Sequence, residues 1–204
     1  MTHTGTFSEQ INYWLNVQIL GEYRRPAVLR ATTTSSLRHN RHPERKDAMP
    51  LSMVGEKVEL RSEVEIAAPI SVVWDVLTNL RAYGEWNPFI VQAEGELKQG
   101  AIVSTTVNLP GNREQKIRRH VLKLDPKAEL RWTATQLMRV LAYDEQFFQL
   151  RTVEDNHVRL SIGQNISGVL APRTPSELSQ LSRSLNLLNQ AIKRRAESLS
   201  ARVS

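Results

Sequence analysis

The five histidines of this 204-residue chain, His3, His39, His42, His120 and His157, are where acid–base or metal chemistry would first be sought. Imidazole changes protonation near neutral pH and is the commonest metal ligand. Three of them fall in the first 56 residues and His157 sits at the Asp155-Asn156 turn, so together they offer no metal-ligand spacing. The chain has no cysteine, which excludes a thiolate metal site, a cysteine nucleophile and a disulfide framework. Serine is abundant, yet none lies in a recognisable nucleophile turn. What remains is recognition. Trp74, Trp86, Phe89, Trp132, Tyr143, Phe147 and Phe148 all lie beyond residue 57, and a pocket with such walls and a few polar groups suits an amphipathic or aromatic ligand.

The elements that must hold these rings can be read from periodicity. Lys57 to Ile66 alternates, with Val58, Leu60, Val64 and Ile66 on one face and Glu59, Arg61, Glu63 and Glu65 on the other, as a half-buried strand requires. Pro69 fits the first turn of a helix, and Val73, Trp74, Leu77 and Leu80 follow at helical spacing until Trp86-Asn87-Pro88 ends the region. Six further runs, Ala93 to Leu97, Ala101 to Leu109, Lys116 to Leu124, Glu129 to Leu137, Val140 to Leu150 and His157 to Ile166, are separated by Gly and Pro turn signals. Their connections are too short for crossover helices, so a mostly consecutive antiparallel meander is expected.

The last segment is helical. Thr174-Pro175-Ser176-Glu177 supplies an N-cap, a proline at the first position and a glutamate at the third, and Leu178, Leu181, Leu185, Leu188, Ile192 and Leu199 form one apolar stripe. A helix of about 25 residues spans nearly 40 Å, enough to cross a curved sheet.

Residues 1–56 differ in texture. Arg24, Arg25, Arg30, Arg38, Arg41, Arg45 and Lys46 face only Glu44 across a polar, irregular stretch, which predicts a disordered basic extension ahead of a domain at 57–204. Ile11 to Leu20 is moderately apolar but lacks the basic flank and cleavage site of a signal peptide. The net charge of +6 raises the question of a phosphate-tracking tail. The charges are spread out and no binding motif accompanies them, so a solvated extension is expected and nucleic acid is not an expected partner. No apolar run reaches the ~18 residues of a membrane span, and a cytoplasmic protein is expected. Met49 and Met53 lie just ahead of the domain and are candidate start sites, and the extension is expected to be dispensable.

Several segments, read in order, resemble one family. Ala68-Pro69-Ile70-Ser71-Val72-Val73-Trp74, Trp86-Asn87-Pro88-Phe89-Ile90, Glu94-Gly95-Glu96-Leu97, Val121-Leu122-Lys123-Leu124-Asp125-Pro126, Leu130-Arg131-Trp132, Phe147 and Ser167-Gly168-Val169-Leu170 are similar to the polyketide cyclase/dehydrase-like branch of the START (SRPBCC) superfamily. The resemblance runs from Glu59 to about Glu197. It implies an α+β helix-grip fold, a seven-stranded curved antiparallel sheet wrapped around a long C-terminal helix, with an apolar cavity between them. It also implies that Trp74, Trp86, Phe89, Trp132, Tyr143 and Phe147 are ligand contacts, with Trp74 and Trp132 shared with the core.

The sequence departs from the branch where the branch carries its polar groups. A histidine two residues before the phenylalanine of the sixth strand is here Glu145, and a His-x-Glu pair on the last strand is here Ile162 and Gln164. Glu145 is the candidate general base, with His120 its partner if both point inward, and Gln164 is a candidate ligand contact. The expected function is binding of a small hydrophobic or aromatic molecule, lipids included, as a carrier or sensor. The alternatives are a cyclase or dehydratase using Glu145 and His120, and a chaperone-cofactor-like interaction module. No cofactor is implied, and the sequence carries no signal for an oligomeric state.

Overall fold

A computed structural model describes residues 57–109, 113–134, 143–167 and 174–202. The basic extension, the candidate start methionines, and Leu137 and Val140 of the expected strands lie outside the described residues.

Seven strands form one sheet: β1 (Val58–Ile66), β2 (Ile90–Glu94), β3 (Ile102–Leu109), β4 (Arg113–Asp125), β5 (Glu129–Ala134), β6 (Tyr143–Glu154) and β7 (His157–Ser167). Their order is β1-β7-β6-β5-β4-β3-β2, with every neighbouring pair antiparallel. The meander therefore holds from β2 to β7, and β1 closes the far edge against β7. Helix α1 (Ile70–Thr78), a 3-10 turn (Leu80–Ala82) and helix α2 (Tyr83–Trp86) carry the chain between the two edges. Register shifts in the β2–β3, β4–β5 and β6–β7 pairs supply the bends by which such a sheet curves.

Local chemistry sets the boundaries. Asn87 Oδ1 accepts from the backbone N–H groups of Phe89 and Ile90, both at 2.9 Å, turning the chain out of α2 directly into β2. That strand was expected at Ala93 to Leu97. It begins at Ile90 instead and ends at Glu94, because Gly95 has φ +123°, a conformation unsuited to a continuing strand.

Helix α3 (Pro175–Ser200) carries the capping box read from the sequence, with Thr174 and Glu177 each accepting from the other's backbone. Leu181, Leu185, Leu188, Ile192 and Ala196 are buried along it. Polar ties fix its course beside β1: Asn189 Nδ2 donates to Ser62 Oγ at 2.7 Å, and Lys193 Nζ donates to the Glu65 carbonyl at 2.6 Å. The fold is the helix grip expected from the sequence.

Register assigns each strand residue to a face. The inner face carries Leu60, Val64 and Ile66 of β1, with Leu160, Ile162 and Gln164 opposite on β7. It continues through Phe148 and Leu150 of β6, Leu130 and Trp132 of β5, Ile117, Arg119 and Val121 of β4, and Val103, Thr105 and Val107 of β3. The outer face has its own packing centre, Phe147, whose ring lies across the backbone of Gly163. A Cβ on Gly163 would sit 2.0 Å from the ring tip, while the Arg61 and Arg131 guanidiniums lie 5.0 and 5.2 Å from the ring centroid. Gly163→Ala should therefore displace a confined ring and cost about 1 to 3 kcal/mol in urea unfolding. Phe147→Leu in the same chain should recover part of that loss.

Candidate functional site

The inner face places an unusual polar group in the middle of the apolar core. Arg119 is fully buried, at 0% exposure, between Ile117 and Val121 on the inward side of β4. Its Nε donates to Thr105 Oγ1 at 3.2 Å, and its guanidinium carbon lies 5.5 Å from the centre of the Trp132 ring. Burial pulls the guanidinium pKa down, and the charge of buried Asp144 opposes that shift. Tyr83 also packs on Trp132, their rings edge to face at 6.4 Å. Its hydroxyl donates to the Leu77 carbonyl at 2.7 Å, and burial drives its pKa well up, only partly opposed by the charge of Arg119.

Two glutamines complete the group. Gln146 and Gln164 are directly paired across β6 and β7 and are 3% and 0% exposed. Trp132 Nε1 donates to Gln146 Oε1 at 3.0 Å, and Gln164 Nε2 donates to Asp144 Oδ1 at 2.6 Å. The remaining amide atoms, Gln146 Nε2 and Gln164 Oε1, are buried with no hydrogen-bond partner among the described residues. A buried orphan polar atom costs about 1 to 3 kcal/mol, so a pair of them facing the interior is a signal of something else to bind.

Among the residues expected from the sequence, Trp132 and Gln164 belong to this inner group. Phe89 is buried just ahead of β2, Trp86 is half-buried with its ring 5.0 Å from that of Tyr83, and Trp74 packs partly buried against the core. Four others need correction. Glu145, Phe147, Tyr143 and His120 all stand on the outer face, because their strands alternate with the opposite parity to the one assumed. Thr133 pairs with both His120 and Glu145, so two strand spacings, about 10 Å, separate the supposed acid–base partners.

Glu145 belongs to an ion-pair network on that face. Arg131 bridges Glu145 and Glu129, Tyr143 donates to Glu145 at 2.6 Å and Asn165 donates to it at 3.2 Å. Burial raises the Glu145 pKa, but these donors and the Arg131 charge outweigh it and hold the carboxyl below its usual range. A carboxylate stabilised in this way is a poor base. Glu129 shows the same balance more strongly. Burial raises it, while hydrogen bonds from Lys123, Arg131 and Gln149 bring it down to about 2 from an ordinary 4.5. A depressed folded-state pKa stabilises the fold above the unfolded value and is lost as pH falls through the folded one. Glu129→Gln should therefore flatten the acid limb of stability between about pH 4.5 and 2, as followed by urea unfolding at stepped pH.

An open cleft of about 670 Å³ lies elsewhere on the outer face, lined by Glu94, Gly95, Ile102, Ser104, Lys116 and Arg118, and no aromatic ring borders it. Among the described residues, no cluster of three or more His, Asp or Glu side chains is placed to hold a metal, and no helix is long and apolar enough to cross a membrane.

The inner residues that sequence reasoning missed are Arg119, Asp144, Gln146 and Tyr83. Arg119 had a readable signal, since it shares one face of β4 with Ile117 and Val121.

A family model described as polyketide cyclase/dehydrase and lipid transport matches residues 57–202. Among solved structures, a START superfamily protein from Mycobacterium smegmatis is similar over 69% of this chain and 98% of its own, with 18% identity and a TM-score of 0.58. The Zhui aromatase/cyclase from Streptomyces sp. R1128 is similar over 72% and 95%, with 19% identity and a TM-score of 0.52. Ara h 8.0201 is similar over 70% and 99%, with 12% identity and a TM-score of 0.56. At these identities the likeness is one of fold. No curated protein matches the chain.

Proposed function

Because the chain belongs to the polyketide cyclase/dehydrase and lipid transport family, we propose that it binds a small hydrophobic or aromatic molecule inside the grip, as a carrier or sensor. The observation that carries this reading is the polar set on the inner face. Arg119, Asp144, Gln146 and Gln164 are all at most 3% exposed, Arg119 and Gln146 touch Trp132, and most of the residues around them are apolar. A closed core needs none of them, since taking a guanidinium and a carboxylate out of water costs several kcal/mol each before their attraction returns it. Apolar walls with a few convergent polar groups are what a small-molecule site requires.

An environment-sensitive apolar dye should bind the folded protein near 1:1 and quench tryptophan emission, since Trp132 is buried in contact with Arg119 and Gln146. Native mass spectrometry of purified protein, followed by extraction, should identify what co-purifies. Glu145→Gln, on the outer face, should leave dye affinity unchanged. If no apolar probe binds the folded protein, the binding reading fails.

A second reading is a cyclase- or dehydratase-like enzyme, and the presence of two fully buried, oppositely charged groups, Arg119 and Asp144, on the inner face favours it. A buried guanidinium stabilises a developing enolate, and a neighbouring carboxylate exchanges a proton. The Zhui protein, similar in fold, is named an aromatase/cyclase. Asp144→Asn tests the second reading: an enzyme should lose about 100-fold or more in turnover, whereas a carrier has no turnover to lose. The interaction-module alternative draws less support, because among the described residues the exposed large apolar side chains, Val91, Ile102, Val153 and Leu187, are scattered over four elements.

A further inference from the structure

The orientations of the two inner glutamines are fixed by what they already bond. An indole N–H can only donate, so Gln146 must turn Oε1 toward Trp132 and its Nε2 away. An ionised carboxylate can only accept, so Gln164 must turn Nε2 toward Asp144 and its Oε1 away. The result is one buried donor and one buried acceptor on directly opposed residues of the inner face, neither bonded to the other nor to any described residue. Opposed residues have Cα atoms within about 5.5 Å, so the two unbonded amide atoms belong to neighbouring side chains of equal length.

Resting on the binding reading above, we propose that Gln146 and Gln164 read a single hydroxyl group on an otherwise apolar, aromatic ligand. The hydroxyl oxygen accepts from Gln146 Nε2 and its proton is donated to Gln164 Oε1. Only a group that both donates and accepts satisfies the two atoms at once. A ketone or an ether leaves Gln164 Oε1 buried without a donor, and a carboxylate brings a second negative charge toward Asp144. The Trp132 ring, hydrogen-bonded to Gln146, supplies an apolar surface beside the hydroxyl site.

Three probes of one shape test this with the full-length protein: 2-naphthol, 2-methoxynaphthalene and naphthalene. Titration is followed by tryptophan quenching and by calorimetry at pH 7, where a phenol of pKa about 10 is protonated. We expect 2-naphthol to bind at least about tenfold more tightly than either of the others. This order opposes simple partitioning, because the ether and the hydrocarbon are the more apolar molecules. Gln164→Met should reduce the preference to about twofold or less while naphthalene still binds. Equal affinities for the three probes in the unmutated protein, as expected if water fills the gap between the amides, would overturn the hydroxyl assignment and leave the binding reading intact. A preference that persists undiminished in a folded Gln164→Met protein would overturn it too. If none of the three binds, the binding reading itself fails and the assignment falls with it.

Discussion

Replacing Trp132 by alanine should cost about 3 to 5 kcal/mol of unfolding free energy, enough to consume much of the stability of an ordinary domain. The indole is 1% exposed and is held from three sides. Phe148 meets it edge to face at 5.7 Å, Tyr83 does so at 6.4 Å, and Arg119 covers its face at 5.5 Å. Truncation leaves a cavity among residues that cannot collapse without moving β5 and β6. It also removes the donor from Gln146 Oε1, so a buried acceptor joins the buried donor already present on that side chain. Trp132→Phe separates these effects. It retains much of the packing and loses the hydrogen bond, and it should cost about 1 to 3 kcal/mol. A loss below about 1 kcal/mol for Trp132→Ala in urea unfolding would show that the indole does not hold the centre of the grip.

The fold was more legible in the sequence than the site, and β6 shows why. The run Tyr143-Asp144-Glu145-Gln146-Phe147-Phe148-Gln149-Leu150 has adjacent phenylalanines, so an alternating strand can be laid down with either parity. Taking Phe147 as inward brings in Tyr143 and Glu145. Taking Phe148 and Leu150 as inward brings in Asp144 and Gln146, which is the arrangement found. The deciding information is not local. Phe147 is accommodated on the outer face because Gly163 on the neighbouring strand lacks a side chain, and two arginines cover the ring from above. On β4, by contrast, the alternation of Ile117, Arg119 and Val121 against Lys116, Arg118 and His120 was readable, and following it would have sent His120 outward and Arg119 inward. Elements with a single period or a local cap, such as β1 and the Thr174-Pro175-Ser176-Glu177 helix start, were legible because nothing distant is needed to form them.

The buried charge makes the second large prediction. Arg119→Met removes a fully buried cation and leaves the buried Asp144 carboxylate without the charge that acts on it, so the single substitution should destabilise the protein by about 3 to 5 kcal/mol. Packing is not the cause, because methionine fills most of the same volume and lies readily against Trp132. The test is a double-mutant cycle. Arg119→Met combined with Asp144→Leu removes both charges and should recover most of the loss, giving a coupling of roughly 2 kcal/mol or more between the two positions. Additive losses would mean that Asp144 does not balance Arg119, with the Thr105 hydrogen bond and the Trp132 face among the contacts that hold the guanidinium instead. The same pair of proteins bears on function. A charge pair kept only for folding could be exchanged for apolar residues with ligand binding intact, whereas a charge pair kept for a ligand leaves the doubly substituted protein stable but unable to hold what the unmutated protein carries. Recovery of stability without recovery of the co-purifying molecule is the expected result, because a well-packed apolar replacement is often as stable as the buried ion pair it replaces.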